Sequence, residues 1–221
     1  MNRTYLWLSL FVLAIPLVPS FAEEEEVIKE QVDALVARLV SPNSPPVIRH
    51  SPSAKYPQDF DHEAQVRVHQ AFKELYRLGI RSFPHIFDHF DDRRYSLTMD
   101  SGEADRNWTV GQLCFDIVTC HLQPYGPIAL SEKKRSNGMR RGPQIPFYSA
   151  RLHNSVGAKW WTSRKDKSLR ELQIEVLEWV IDEEDKSPEK FSDRERDARK
   201  TMLLKLQDSE SPLKPKSVFA K

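Results

Sequence analysis

Two histidines four residues apart give the strongest metal-binding signal in this sequence. His85 and His89 lie in a segment that is predicted to form a short helix, residues 83–90. An i, i+4 spacing puts both imidazoles on one helical face, where a zinc or nickel ion can bridge them. Aspartates at positions 88, 91 and 92 would add oxygen ligands. Because the glutamate of a His-Glu-x-x-His site is absent, packing and surface roles are the preferred interpretation of both histidines, and metal binding is the alternative.

Two further histidines extend this hypothesis to an enzyme. His62 and His69 are seven residues apart on a predicted helix and therefore share a face. A site between these two, His85, His89 and neighbouring carboxylates would suit a metal-dependent or hydrolytic enzyme. The sequence contains no Gly-x-Ser-x-Gly elbow and no glycine-rich phosphate loop, and no motif predicts an organic cofactor. A Ser/His/Asp triad assembled only in space stays open.

The two cysteines are predicted to be reduced. Cys114 and Cys120 are the only cysteines, and they lie on one predicted helix. Six residues of helix separate them by about 9 Å of rise and place them on different sides. A disulfide needs Cα atoms within about 7 Å. We therefore expect two buried thiols that pack as small apolar side chains.

The first 22 residues have the layout of an export signal. Arg3 precedes an apolar run, Leu6 to Val18, and Ser20 and Ala22 supply the small residues of a cleavage site. The run is about 13 residues, shorter than the 20 or so that span a bilayer. The sequence therefore predicts cleavage before Glu23 and an exported protein, whether periplasmic, in the cell envelope or secreted. An uncleaved membrane anchor is the alternative.

Charge balance argues against nucleic acid as a partner. Loss of Arg3 with the signal leaves 32 basic and 32 acidic residues, so no global field attracts a polyanion or an anionic membrane. No later segment is apolar enough for a transmembrane helix. A basic cluster at Lys133 to Arg141 is either a solvated loop or a contact for an anionic partner.

The elements that position these residues are predicted to be helical. Only seven glycines occur in 221 residues, and apolar side chains recur at helical spacing. Prolines make residues 41–57 an irregular connection, and residues 209–221 form a predicted disordered tail after a helical domain at 23–208. The predicted helices cover residues 25–40, 61–79, 83–90, 109–122, 154–164, 168–180 and 192–206.

One stretch resembles a known repeat. Residues 66–92, with the core VHQAFKELYRLGIRSFPHIFDHFDD, resemble a single HEAT-type unit, in which two helices are joined by a short turn. The segments YPQDFDHEAQVRVHQAF, FDDRRYSLT, NWTVGQLCFDIV and DKSLRELQIEVLEW are also similar to a group of uncharacterised exported bacterial proteins, a resemblance that implies no activity. The predicted fold is all-α. It is an irregular helical bundle or a short HEAT-like array of about seven helices, with two long polar loops at 91–106 and 123–146. A small hairpin within residues 91–106 or within residues 131–148 remains open.

The leading functional hypothesis is a non-catalytic interaction or scaffold protein. Its expected partner is another exported protein or an envelope component, and the histidine-based enzyme is the alternative. Trp160-Trp161 is predicted to place one ring in the core and one on the surface, where it would anchor a partner. Asn107-Trp108-Thr109 matches the N-glycosylation sequon, and is read more simply as a loop-to-helix boundary capped by Thr109.

Overall fold

The computed structural model of the protein describes residues 21–48, 54–100, 105–123, 156–186 and 193–215. Helices account for 67% of these residues, and the number of helices is close to the predicted seven. The elements, in chain order, are α1 (Phe21–Leu39), α2 (His62–Leu78), α3 (Phe83–Ile86), β1 (Tyr95–Asp100), β2 (Asp105–Thr109), α4 (Val110–Leu122), α5 (Val156–Thr162), α6 (Leu169–Lys186) and α7 (Asp193–Asp208).

Helices α1 and α2 pack side by side through apolar stripes that the sequence predicted. Val32 and Leu39 of α1 are fully buried, as are Phe72 and Leu75 of α2. The predicted cap is also confirmed, since Asp61 Oδ1 accepts a hydrogen bond of 2.9 Å from the Ala64 N–H. The two helices therefore form a rigid base for the residues that follow them.

The segment after α2 is tighter than a regular helix. Gly79 takes a φ of 59°, a left-handed value that favours glycine, and it ends α2. Two 3₁₀ turns, Gly79–Ser82 and Phe87–His89, flank the single α-helical turn of α3. The predicted helix at 83–90 is therefore broken in its second half.

An antiparallel hairpin corrects the all-α prediction. Strands β1 and β2 pair within the region that was predicted to be a polar loop, and a bulge lies between Tyr95 and Leu97. The bulged residue, Ser96, is buried, and its hydroxyl donates a 2.6 Å hydrogen bond to the Leu39 carbonyl at the end of α1. The Ser41 N–H donates to the Tyr95 carbonyl at 3.0 Å. The hairpin is thus fastened to the orphan carbonyls that end a helix.

Helix α4 begins with the predicted capping box. Thr109 Oγ1 accepts a hydrogen bond from the Gln112 N–H, and the Gln112 side chain accepts one from the Thr109 N–H. Both cysteines of this helix are free, as predicted. Cys114 is fully buried, whereas Cys120 is only half-buried, which corrects the expectation for the second thiol.

The adjacent tryptophans differ from the prediction because both are buried. Trp160 and Trp161 are 7% and 9% exposed, so neither is a surface anchor. The Trp161 ring lies 5.6 Å from the ring of Phe83 and 6.1 Å from that of Phe87. The Arg164 guanidinium covers Trp160 at 4.9 Å.

Leu213, in the described part of the predicted disordered tail, is bound to α6, and residues 216–221 fall outside the described ranges. Gln173 is fully buried and accepts a 2.8 Å hydrogen bond from the Leu213 N–H. Its Nε2 donates to the Leu213 carbonyl at 3.0 Å and to the His121 carbonyl at 2.8 Å. The two helices that end the fold are joined by an ion pair at 3.3 Å between the buried carboxylate of Glu184 and the partly exposed guanidinium of Arg196.

In the described part of the chain, none of the helices combines the length and the apolar character that crossing a membrane requires.

Candidate functional site

A cleft lies between α2 and β1. It has a volume of about 340 Å³, and the connection before α2 forms one of its walls. We call it the α2–β1 cleft and define it by its lining residues, which are Tyr56, Phe60, His62, Gln65, Val66, His69, Leu97, Thr98 and Met99.

One stripe of α2 forms the helical wall. His62, Gln65, Val66 and His69 recur at i, i+3, i+4 and i+7, so they lie on one face. Val66 is 58% exposed, although it is a large apolar residue. The predicted shared face of His62 and His69 is therefore present, and it opens into the cleft.

Gln65 ties the helical wall to the strand wall. Its Nε2 donates to Ser41 Oγ at 2.7 Å and to the Ser96 carbonyl at 3.2 Å. Its Oε1 accepts a long hydrogen bond of 3.4 Å from the Thr98 N–H and lies 3.4 Å from the Tyr95 hydroxyl oxygen, both distances being longer than an ordinary hydrogen bond. The side chain therefore holds the floor of the cleft in place and covers the outer edge of β1.

The hydrogen-bond network continues from the cleft into the hairpin. Tyr95 and Thr98 share a hydrogen bond between their hydroxyls at 2.7 Å, and the Thr98 hydroxyl donates to Asn107 Oδ1 at 2.6 Å. Asn107 Nδ2 donates to the Pro46 carbonyl at 2.9 Å. The sequon asparagine thus has both ends of its amide bound inside the fold.

Three rings form the aromatic rim of the cleft. The ring centroids of Tyr56 and Phe60 are 4.8 Å apart, and that of His62 is 5.4 Å from Tyr56 and 5.0 Å from Phe60. Tyr56 is 43% exposed, whereas Phe60 is buried. Partial burial raises the pKa of the Tyr56 hydroxyl above its ordinary value, and the Asp105 carboxylate adds to the rise.

The structure does not bring all four histidines together. His62 and His69 line the α2–β1 cleft, and neither His85 nor His89 is among its lining residues. His89 lies in a 3₁₀ turn while His85 lies in α3, so the regular helical face assumed for the pair is interrupted. Among the described residues, no three His, Cys, Asp or Glu side chains gather as a metal shell would require. The pair remains a prediction.

The most deeply buried histidine belongs to the core. His121 is 4% exposed, and its Nδ1 donates to the Ile117 carbonyl at 2.8 Å. Its ring packs against Tyr76 at a centroid distance of 4.6 Å. Burial lowers the pKa of this imidazole, although carbonyls of Ile117 and Tyr76 oppose the shift. His121 is therefore held as a neutral packing residue.

Cys114 has no nucleophilic character. Burial raises the pKa of its thiol to about 12, so the thiolate is not populated near neutral pH.

The basic cluster at Lys133 to Arg141 falls outside the described residues.

No protein-family model matches the chain, and neither a curated protein nor a solved structure matches it.

Sequence reasoning found one wall of this cleft and missed the rest. The shared face of His62 and His69 was visible from their spacing. The rim residues Tyr56 and Phe60 lie in the proline-rich connection, which offers no periodicity to read. The strand wall was read as part of a loop.

Proposed function

We propose that the protein is an exported, non-catalytic binding module that engages its partner through the α2–β1 cleft. The observation that carries this proposal is the exposure of Val66 and Tyr56 at the mouth of a cleft whose floor is fixed by Gln65. Exposed apolar side chains grouped at the mouth of a concave surface are typical of binding sites, whereas an apolar side chain exposed on its own is ordinary protein surface.

The residue types in the cleft favour binding over catalysis. The described lining residues include no carboxylate, cysteine, serine or lysine, and the Thr98 hydroxyl in the lining already donates to Asn107 Oδ1.

A test of this proposal uses the exported protein as bait in its native envelope fraction. Val66→Arg adds a charged side chain at the mouth of the cleft. Val27, 62% exposed on α1, gives a matched control as Val27→Arg, because both substitutions alter an exposed helical valine. We expect Val66→Arg to reduce partner recovery about fivefold or more, the loss that corresponds to about 1 kcal/mol. Val27→Arg should leave recovery unchanged. Equal recovery by both variants and the wild type would contradict the proposal.

One observation favours a second function, a hydrolytic or metal-dependent enzyme: His62 and His69 share the α2–β1 cleft. It ranks below binding because the described lining lacks a carboxylate. Zinc titration by calorimetry separates the candidates. Heat above the buffer blank that His62→Ala or His69→Ala removes would favour the enzyme. Heat that only His85→Ala or His89→Ala removes would instead support the predicted metal pair.

A further inference from the structure

We propose that the C-terminal segment, residues 209–215, is a strap that detaches from α6 while the rest of the fold stays intact, with Gln173 as its point of attachment. This conformational device is separate from the α2–β1 cleft, so its test does not depend on the proposed binding function.

Gln173 attaches the C-terminal segment from inside the fold. Its side chain is fully buried, its Oε1 accepts from the Leu213 N–H at 2.8 Å, and its Nε2 donates to the Leu213 carbonyl at 3.0 Å. The same Nε2 also donates to the His121 carbonyl at 2.8 Å. One side-chain amide therefore joins the C-terminal segment to α6 and to the end of α4.

The C-terminal segment itself buries little surface. None of its residues is buried, and four of the seven are exposed. The hydrogen bonds between Ser209 and Ser211 lie within the segment, so they do not attach it to another element. Burial of apolar area is the main source of folding stability, and segments with few buried contacts open at a free energy far below that of global unfolding. We therefore expect the segment to open locally.

Helix α7, which precedes the C-terminal segment, has its own attachment to α6. Arg170 Nε donates to the Leu206 carbonyl at 2.7 Å, and its Nη2 donates to the Gln207 carbonyl at 2.9 Å. The Leu206 side chain is 1% exposed, so the last turn of α7 also packs into the fold. Because these contacts end before residue 209, the segment can leave α6 while α7 remains in place.

Detachment takes two hydrogen bonds away from a buried amide. Gln173 loses both of its bonds to Leu213 and keeps the one to the His121 carbonyl. A buried amide left without partners costs free energy, so the attached state is favoured and water must reach Gln173 whenever the segment opens. Each opening therefore admits solvent to the junction of α4 and α6.

Hydrogen exchange of the full chain, followed by NMR at increasing low concentrations of urea, tests this proposal. Local opening exposes little surface, so exchange of the Leu213 N–H should depend weakly on urea, whereas that of the buried Ile117 in α4 should accelerate steeply. Gln173→Leu should speed exchange at Leu213 about tenfold or more and at Leu206 by less than about twofold. Gln207→Leu, at an exposed position of α7, is the matched control and should leave Leu213 unchanged.

Three results would overturn the proposal. Exchange of the Leu213 N–H at the rate of a free peptide in the wild type would mean that the segment is not attached. A urea dependence equal to that of Ile117 would mean that the segment opens only when the whole fold does. Unchanged exchange at Leu213 in Gln173→Leu would mean that Gln173 is not the point of attachment. The first two results need only the wild type, so the test decides even if Gln173→Leu fails to fold.

Discussion

Gly111→Ala is expected to destabilise the protein, although alanine is normally the better helix former. Gly111 is the second residue of α4, and a Cβ built there would lie 2.3 Å from the Phe90 carbonyl oxygen and 2.8 Å from its carbon. It would also lie 2.9 Å from the His89 carbonyl oxygen. These neighbours are backbone atoms, which cannot rotate away as a flexible side chain can.

The clash outweighs the gain in helix propensity. Replacing glycine by alanine within a helix gains at most about 1 kcal/mol. To relieve the contact, α4 must move away from the chain at residues 89–92, which strains the 2.9 Å bond from the Gly111 N–H to the Asp92 carbonyl. Losing that buried bond costs about 1 kcal/mol, and forcing extra volume into a packed site costs about 1–3 kcal/mol. The net loss in the free energy of unfolding is therefore about 1–3 kcal/mol.

Urea unfolding monitored by circular dichroism measures this difference directly, and the melting temperature should fall by about 2–4 °C for each kcal/mol lost. Thr201→Ala, at an exposed position of α7, is the control that gains propensity without a clash, so it should stay within about 0.5 kcal/mol of wild type or rise above it. A Gly111→Ala protein as stable as wild type would refute the close approach of α4 to Phe90.

Two further substitutions probe the buried polar groups. Because burial lowers the pKa of His121 below that of the unfolded chain, its neutral form stabilises the fold above pH 6.5 or so, and this contribution is lost as the pH falls through the folded-state pKa. Below that pH, the free energy of unfolding of His121→Asn should therefore fall less steeply with decreasing pH than that of the wild type. The difference in slope should be at most about 1.4 kcal/mol per pH unit, measured by urea unfolding at a series of pH values. Parallel curves for the two proteins would refute this. Asn107→Ala should lower the free energy of unfolding by about 1–3 kcal/mol in the same assay, because Thr98 and the Pro46 carbonyl each lose a hydrogen-bond partner. Arg106 is exposed on the same strand, so the control Arg106→Ala should lower it by less than about 0.5 kcal/mol. Equal losses in the two variants would contradict the hydrogen-bond network.

Local signals predicted the helices well because those signals act over a few residues. The apolar stripes of α1 and α2, the Asp61 cap and the Thr109 capping box depend on spacings of three and four residues, and all four occur as expected. The free state of Cys114 also followed from its spacing to the other thiol on one helix.

Features that depend on distant residues were not predictable from such patterns. The hairpin is held by Ser96 on the Leu39 carbonyl, a contact across 57 residues, and by Gln65 across about half that distance. Trp160 and Trp161 are both buried because Phe83 packs on one and Arg164 covers the other, whereas the helix alone predicted diverging rings.

Only one wall of the candidate site could be predicted from the sequence, because only that wall depends on residues close together in the chain. The spacing of His62 and His69 is a local property, so their common face was predicted. Tyr56 and the strand wall meet that face only in the folded chain. The sequence pattern around Tyr56 and that of the strand do not predict that they lie beside the histidines.

Gln173 holds the C-terminal segment by main-chain groups, so these hydrogen bonds do not depend on which side chains the segment carries. Within that segment its amide bonds to the N–H and the carbonyl of Leu213, and Arg170 likewise donates to the carbonyls of Leu206 and Gln207 at the end of α7. Main-chain groups are the same at every residue except proline, so the hydrogen bonds do not read side chains. Substitutions of Leu213 that keep its N–H would therefore leave these hydrogen bonds intact, whereas a proline there would remove the bond that the N–H donates to Gln173.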